Sequence, residues 1–264
     1  MPSPADPVAF TIGPLELRWY AIFILAGIVA GITVARWIGR LRGQDDAFIL
    51  DAAPIVVLAA VIGARIYYVM LEWRYFADHP DEIIGLQLRG LTIHGALIGG
   101  IACFWWLCQR RGDRPLRWAD TVIVGVPVGQ AIGRWGNWAN QEAFGRPSDL
   151  PWAVEIDFRR RPLQHLRSDQ FHPTFLYEAI LTLAIALALA WLVLRFGERA
   201  GWRDGYALAA YLIMYGGARL IVEPLRTDSL YIGPWPAAYW FSLALIAAGA
   251  LLILWRRTTW THLT

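Results

Sequence analysis

The chain has 264 residues, 57% of them hydrophobic and 17% charged, with a formal net charge of +3. Soluble domains carry roughly 25% charged residues, so this composition excludes an ordinary soluble protein and points to one whose solvent is a bilayer. All 24 basic residues are arginine, and they are too spread out, on too small a net charge, for nucleic acid to be a partner.

In chain order, apolar runs occur near 18–38, 48–71, 91–109, 118–136, 174–195, 205–222 and 235–255. Each is close to the ~20 residues that a membrane helix requires. The fold class expected is therefore an all-α integral membrane protein of about seven transmembrane helices, forming a single polytopic domain over 1–264 with an external segment at about 137–173. Arginines 36, 40 and 42 follow the first run, 110, 111, 114 and 117 the third, and 195, 199 and 203 the fifth, while 256 and 257 lie in the tail. By the positive-inside rule these face the cytoplasm, which places the N-terminus outside and the C-terminus inside. The stretch "FRRRPLQHLR" at 158–167 argues the other way, but it lies in the longest connection and is offset by Asp149, Glu155 and Asp157. The opening "MPSPADPVAF" has no basic region and no cleavage site, so the first span is expected to be its own targeting signal.

Polar residues inside or at the edge of the runs are the candidates for chemistry: Arg65, His94, Arg134, Asn137, Tyr215, Arg219 and Glu223. An arginine near the bilayer centre costs about 2.5 to 3.5 kcal/mol on insertion scales, so each needs a partner or a task. Glu223 lies one turn beyond Arg219 and is able to neutralise it structurally, whereas Tyr215, one turn earlier on the same face, extends the pair into a polar stripe. For Arg65 no local acid is available, which leaves pairing with another helix or contact with lipid. His94, in "LTIHGALIGG", is either a satisfied polar tip or a base; Gly95 and Gly99 beside it allow close helix approach, so it is expected to face a helix contact. Tyr20, in "LRWYA", fits an aromatic belt. Arg134 and Asn137 share a face at i, i+3, and Gly133 and Gly136 around them are expected to let a bulky ligand approach the backbone. Cys103 and Cys108, at i, i+5, point to different sides of a helix and read as packing.

The run "GRWGNWANQEAFGR" resembles the signature of the bacterial prolipoprotein diacylglyceryl transferases, a Gly-Arg-x-Gly-Asn core followed by Asn-x-Glu and a Gly-Arg pair. Four further blocks resemble that family in its order: "IGPLELRWYA", "LTIHGALIGG", "HPTFLYEA" at 172–179 and "YGGARLIVEPLRTD" at 215–228. The resemblance implies a seven-span inner-membrane enzyme that moves the diacylglyceryl group of phosphatidylglycerol onto the lipobox cysteine thiol of a preprolipoprotein, releasing glycerol 1-phosphate. It places the family's phospholipid-binding arginine on Arg134, its second essential arginine on Arg219, its histidine on His94, and its signature asparagines and glutamate on Asn137, Asn140 and Glu142. Gly145, Tyr20, Tyr215 and Glu223 join them as candidate phospholipid-binding residues. Where the family usually has glycine before the glutamate, this chain has Gln141, and residues 147–171 align with nothing in the family.

The implied chemistry agrees with the residues. A thiolate must displace a phosphate from a glyceryl carbon, so two guanidiniums aimed at the phosphate would stabilise the charge as it develops. The thiol, with a reference pKa of about 8.5, is only slightly ionised at neutrality, and His94 is the candidate base. No Asp/Glu/His cluster has metal-ligand spacing, so neither metal nor cofactor is expected. The expected partners are phosphatidylglycerol, the lipobox peptide and membrane lipid. Two readings compete. An anion channel would line a pore with Arg65, Arg134 and Arg219, although many transporter folds show an internal symmetry that this sequence lacks. A noncatalytic lipid-binding protein would use the arginines but not His94.

Overall fold

The computed structural model describes residues 1–2, 4, 6–13, 15–84 and 90–258. The "IGPLELRWYA" block thus has residue 14 outside the described residues, as does the tail beyond 258. The described chain is mainly helical and forms two compact units, Met1–Gln44 with Ala119–Thr264, and Asp45–Trp118.

In the first unit a hairpin of β1 (Val8–Ile12) and β2 (Leu15–Arg18) leads into helix α1 (Trp19–Leu41). At 23 residues and 1.5 Å per residue, α1 is long enough for a bilayer. It stops where Gly43 turns left-handed at φ 65°, with Gln44 N–H donating to the Gly39 carbonyl. The second unit contains α2 (Ala47–Leu71), the short α3 (Trp73–Asp78) and α4 (Ile93–Arg110). The chain returns to the first unit within α5 (Pro115–Val122) and continues through α6 (Gly125–Asn140), β3 (Val154–Glu155) and β4 (Gln170–Phe171). Then come α7 (Thr174–Phe196), α8 (Tyr206–Val222), a hairpin of β5 (Tyr231–Ile232) and β6 (Trp235–Pro236), and α9 (Ala237–Thr258).

Five of these helices are long and apolar enough to cross a membrane: α1, α2, α7, α8 with the turn that follows it, and α9. The run at 118–136 is not one helix. Ile123 and Val124 form a turn between α5 and α6, and Pro127, which has no N–H to give to a preceding turn, lies in the first turn after it. Helix α4, at 18 residues, is long enough for a span, but His94, Gln109 and Arg110 at its ends make it less apolar than those five. The paired strands depart from a purely helical expectation, but each ladder is short.

Small residues set the helix contacts, as they do where lipid removes the hydrophobic drive between helices. Helix α1 runs antiparallel to α6. A Cβ on Gly27 would lie 2.7 Å from the Gly129 carbonyl oxygen, and Gly31 meets Gly125 in the same way. Between α8 and α9, a Cβ on Gly216 would lie 2.8 Å from the Ser242 carbonyl oxygen and one on Gly249 2.6 Å from that of Ala209. Within the second unit, Gly63 on α2 faces Gly95 and Gly99 on α4, as the glycine spacing predicts. A core of Ile38, Val124, Leu189, Val193, Ala207 and Tyr211 closes the first unit. A second core of Phe144, Val154, Ile156, Phe171 and Phe175 lies under residues 141–173 and makes that connection a folded element.

Candidate active site

The site is built at one end of α6, α7 and α8, where the last turn of α6, the first turns of α7 and the last turn of α8 converge. Arg219 lies in the last turn of α8, and Glu223 follows on the same face. Its guanidinium uses both arms of its fork: Nη2 lies 2.7 Å from Glu223 Oε2, and Nη1 donates to Glu178 Oε1 at 2.7 Å. The i, i+4 partner read from the sequence is therefore real, but it accounts for only half of what Arg219 does. Arg134 on α6 places Nε 2.8 Å from Glu178 Oε2. Arg226, just past α8, donates Nη1 to Glu178 Oε1 at 3.0 Å and grips Asp228 with Nε and Nη2 at 2.9 and 2.6 Å. One carboxylate thus joins guanidiniums from three places in the chain. Side-chain exposures of 7% for Glu178 and 1% for Glu223 seal the acids, while 25% for Arg134 and 20% for Arg219 leave the bases reachable.

Charge balances inside this group: Arg134, Arg219 and Arg226 oppose Glu178, Glu223 and Asp228. Ser229 Oγ donates to the other oxygen of Glu223 at 2.7 Å. Burial works against the charge on Arg226, but the neighbouring Asp228 and Glu178 carboxylates more than offset it and hold its pKa above the ordinary arginine value.

The signature loop packs onto this cluster through backbone. Gly145 pairs as an antiparallel bridge with Arg226, its N–H donates to the His172 carbonyl at 2.8 Å, and Arg146 N–H donates to the Leu225 carbonyl at 2.8 Å. A Cβ on Gly145 would sit 2.7 Å from the Leu225 oxygen, 2.8 Å from His172 Cβ and 2.9 Å from Thr174 Cγ2. Only glycine fits there, so its role in this geometry is to let 145, 172–174 and 225–226 close on one another. Thr174 Oγ1 and Thr227 Oγ1 donate to the carbonyls of Ala143 and Phe144, fastening the same loop. Asn137 Nδ2 donates to Glu142 Oε1 at 2.9 Å, and Asn140 Nδ2 reaches the same oxygen at 3.4 Å. The signature asparagines and glutamate are thus one hydrogen-bonded group at the end of α6.

Gln141, where glycine is usual, adopts the left-handed conformation that glycine favours, φ 51° and ψ 50°. Its side chain compensates by donating to the Pro4 carbonyl at 3.2 Å and accepting from Asp157 N–H at 2.7 Å.

One sequence expectation is corrected, and two others gain a definite geometry. The space beside Gly136 is filled: a Cβ there would lie 2.8 Å from Tyr20 Cδ2, and one on Gly133 would meet Ile24 at 3.5 Å. That face of α6 thus receives α1 side chains, with Tyr20 packed onto Gly136. Tyr215 stacks on Tyr211, one turn earlier on the same face of α8, with ring centroids 5.6 Å apart, while Tyr211 accepts from Gln130. Arg65 donates to the carbonyls of Ile83 and Glu82 at 3.1 and 2.6 Å and lies over the Tyr68 and Phe76 rings, so it ties down the connection after α3.

His94 belongs to the second unit, exposed in the first turn of α4 with its ring 6.1 Å from that of Tyr67. Thr92 caps that helix, accepting from Gly95 N–H at 3.4 Å and donating to the Ala64 carbonyl at 3.2 Å. Glu178 and Arg226 are the site residues that the sequence reading passed over. The signal for Glu178 was available: it is the one acid in the apolar run at 174–195. Among the described residues no His/Cys/Asp/Glu group has the arrangement of a metal site.

A model of the prolipoprotein diacylglyceryl transferase family matches residues 7–255 of the chain. The chain is 41% identical over 250 residues to a phosphatidylglycerol–prolipoprotein diacylglyceryl transferase of Synechococcus elongatus, covering 94% of this chain and 86% of that protein. It is 38% identical to one of Nostoc sp. (94% and 88%) and 37% identical to one of Finegoldia magna (94% of each).

Proposed function

The chain belongs to the prolipoprotein diacylglyceryl transferase family, and we propose that its cluster of arginines holds the phosphate of phosphatidylglycerol while the diacylglyceryl group passes to the lipobox thiol of a preprolipoprotein. The observation that carries this reading is the convergence of Arg134 and Arg219, from separate helices, on one carboxylate at partly exposed positions. Guanidiniums arranged to grip a carboxylate with parallel donors are arranged to grip a phosphate.

In this reaction the cysteine sulfur bonds to the glyceryl carbon, the carbon–oxygen bond to phosphate breaks, and glycerol 1-phosphate departs with the bond's electrons. Arg134 and Arg219 stabilise the charge that gathers on the leaving oxygen, and they do so more effectively in a water-poor site than in bulk. Asn137, Asn140 and Glu142, with Gly145, shape the end of α6 toward the headgroup, and Tyr20, Tyr215 and Glu223 support it. The resemblance alone supports His94 as the group that takes the thiol proton. In that role His94→Gln slows transfer by about 10²- to 10⁴-fold, with a defect that shrinks as pH rises toward the thiol's own pKa; parallel pH profiles for variant and wild type would remove His94 from the role.

We further propose that α4 and the α5–α6 pair bring the spans to about seven in a single polytopic domain of the bacterial inner membrane. The N-terminus and residues 137–173 would face outward and the C-terminus the cytoplasm. The arginine-rich connections support that orientation. The test of the function is release of glycerol phosphate from phosphatidylglycerol vesicles, measured with and without a lipobox peptide. Release that requires the peptide thiol is the expected result; phosphate flux across liposomes with no lipid transfer would replace the transferase with an anion channel.

A further inference from the structure

Glu178 is bonded to three cations and nothing in the proposed reaction uses it. Its Oε1 accepts from Arg219 at 2.7 Å and from Arg226 at 3.0 Å, and its Oε2 lies 2.8 Å from Arg134. A structural ion pair needs one partner; a carboxylate shared among three guanidiniums occupies the place of an anionic ligand. We propose that Glu178 is a positioning residue that acts as the resident counter-anion of the three-arginine site, holding the guanidiniums in register and limiting how tightly the site retains a phosphate group. This inference rests on the transferase reading above.

Carboxylate and phosphate oxygens accept from the same guanidinium donors in the same geometry. A phosphate arriving at Arg134 and Arg219 therefore competes with Glu178 for donors already in use, and binding becomes an exchange of one anion for another. The lipid phosphodiester, with one negative charge, gains little over the carboxylate it displaces. As the carbon–oxygen bond breaks, the phosphate becomes a monoester with more charge and gains more, which is the differential binding that catalysis requires. The thiol proton has by then gone to the base, so the negative charge that the thiol sulfur carried ends on the released phosphate. Glu178, still linked to Arg226, repels that product and restores the resting pairs as it leaves. Without Glu178 the cluster would hold Arg134, Arg219 and Arg226 against only Glu223 and Asp228, a net charge of +1.

Glu178→Gln keeps the shape and one acceptor oxygen and removes the charge. In this variant the KM for phosphatidylglycerol and the inhibition constant of glycerol 1-phosphate both fall about tenfold, as expected for one uncompensated charge near the site. At the same time kcat falls as product release slows. A merely structural Glu178 predicts a lower kcat with KM and product inhibition unmoved, and that pattern overturns the proposal. Because the single variant can fail to fold, the charge-balanced pair Glu178→Gln/Arg226→Gln is compared with Arg226→Gln alone. The pair is neutral and is expected to bind glycerol 1-phosphate nearly as wild type does, whereas Arg226→Gln alone, with an excess negative charge, binds it about tenfold more weakly. Equal binding by the two also overturns the proposal. Wild-type protein that releases no glycerol phosphate in the presence of lipobox peptide refutes the transferase reading instead, so the two failures are separable.

Discussion

The two ends of α5 to α8 both bury charge, and they do it in opposite ways. At the end described as the candidate site, six charged side chains neutralise one another through side-chain contacts. At the other end, Asp120 is fully buried and its oxygens accept from Gly205 N–H at 2.9 Å, Leu208 N–H at 3.1 Å and Trp202 Nε1 at 3.3 Å. That carboxylate caps the start of α8 from another helix, where free N–H groups and the helix dipole both favour an anion. Beside it Arg42 is held by Glu198 at 3.2 Å and donates to Thr121 at 2.7 Å. Backbone donors cannot rotate away from Asp120, so charge there fixes structure. Rotatable arginines around Glu178 can change partners, so charge there is free to serve a ligand.

The largest effect expected from this contrast is on activity. Arg134→Lys or Arg219→Lys keeps the charge but loses the planar fork with which Arg219 spans Glu178 and Glu223. Each is expected to lower transfer by about 10²- to 10³-fold with little change in unfolding temperature. Near-normal transfer by both would erase the distinction between the ends. Next in size is a loss of stability: Asp120→Ala takes the acceptor from one buried and two partly buried donors and is expected to cost about 2 kcal/mol, read as a lower unfolding temperature in detergent or nanodiscs. Transfer per folded molecule stays near the wild-type rate, and a selective loss of activity would break the comparison from its other side.

Gln141→Gly sharpens it at smaller scale. Relief of left-handed strain and loss of two side-chain hydrogen bonds are each worth about 1 kcal/mol, so stability changes little. The Asp157 amide, which loses its Gln141 acceptor, is expected to exchange with solvent faster; unchanged exchange would mean that the clamp contributes nothing. The smallest effect is none: changing Cys103 and Cys108 together to alanine leaves turnover intact, because the nucleophilic thiol belongs to the substrate. Loss of turnover in a stably folded double variant would point to a thiol on the enzyme.

Much of this was legible in the sequence where one residue carried an uneven cost. Arg134 and Arg219 were visible because an arginine in an apolar run needs a reason, and Glu223 because it lies one turn from Arg219. Glu178 obeyed the same rule but sat near the start of its run, where an acid looks like an interfacial residue. Arg226 lies beyond the run in "LRTD", and its bond to Glu178, like its pairing with Gly145, joins parts of the chain that are far apart in sequence. Long apolar runs such as 174–195 predicted their helices because length alone decides them. The run at 118–136 did not, since hydropathy does not register that the chain turns at Ile123 and Val124. The two-residue strands leave no alternating pattern to detect.

The central claim is that Arg134 and Arg219 meet the phosphate of phosphatidylglycerol. It is tested most directly by the dipolar coupling between lipid phosphorus and guanidinium carbon in protein labelled with [13Cζ]arginine and reconstituted with phosphatidylglycerol. Arginines at the membrane surface contribute a background, so the informative quantity is the difference between wild type and the Arg134→Lys/Arg219→Lys variant. The account predicts a strong short-range carbon–phosphorus coupling in wild type that is absent from the variant. A coupling that survives both substitutions unchanged would contradict it.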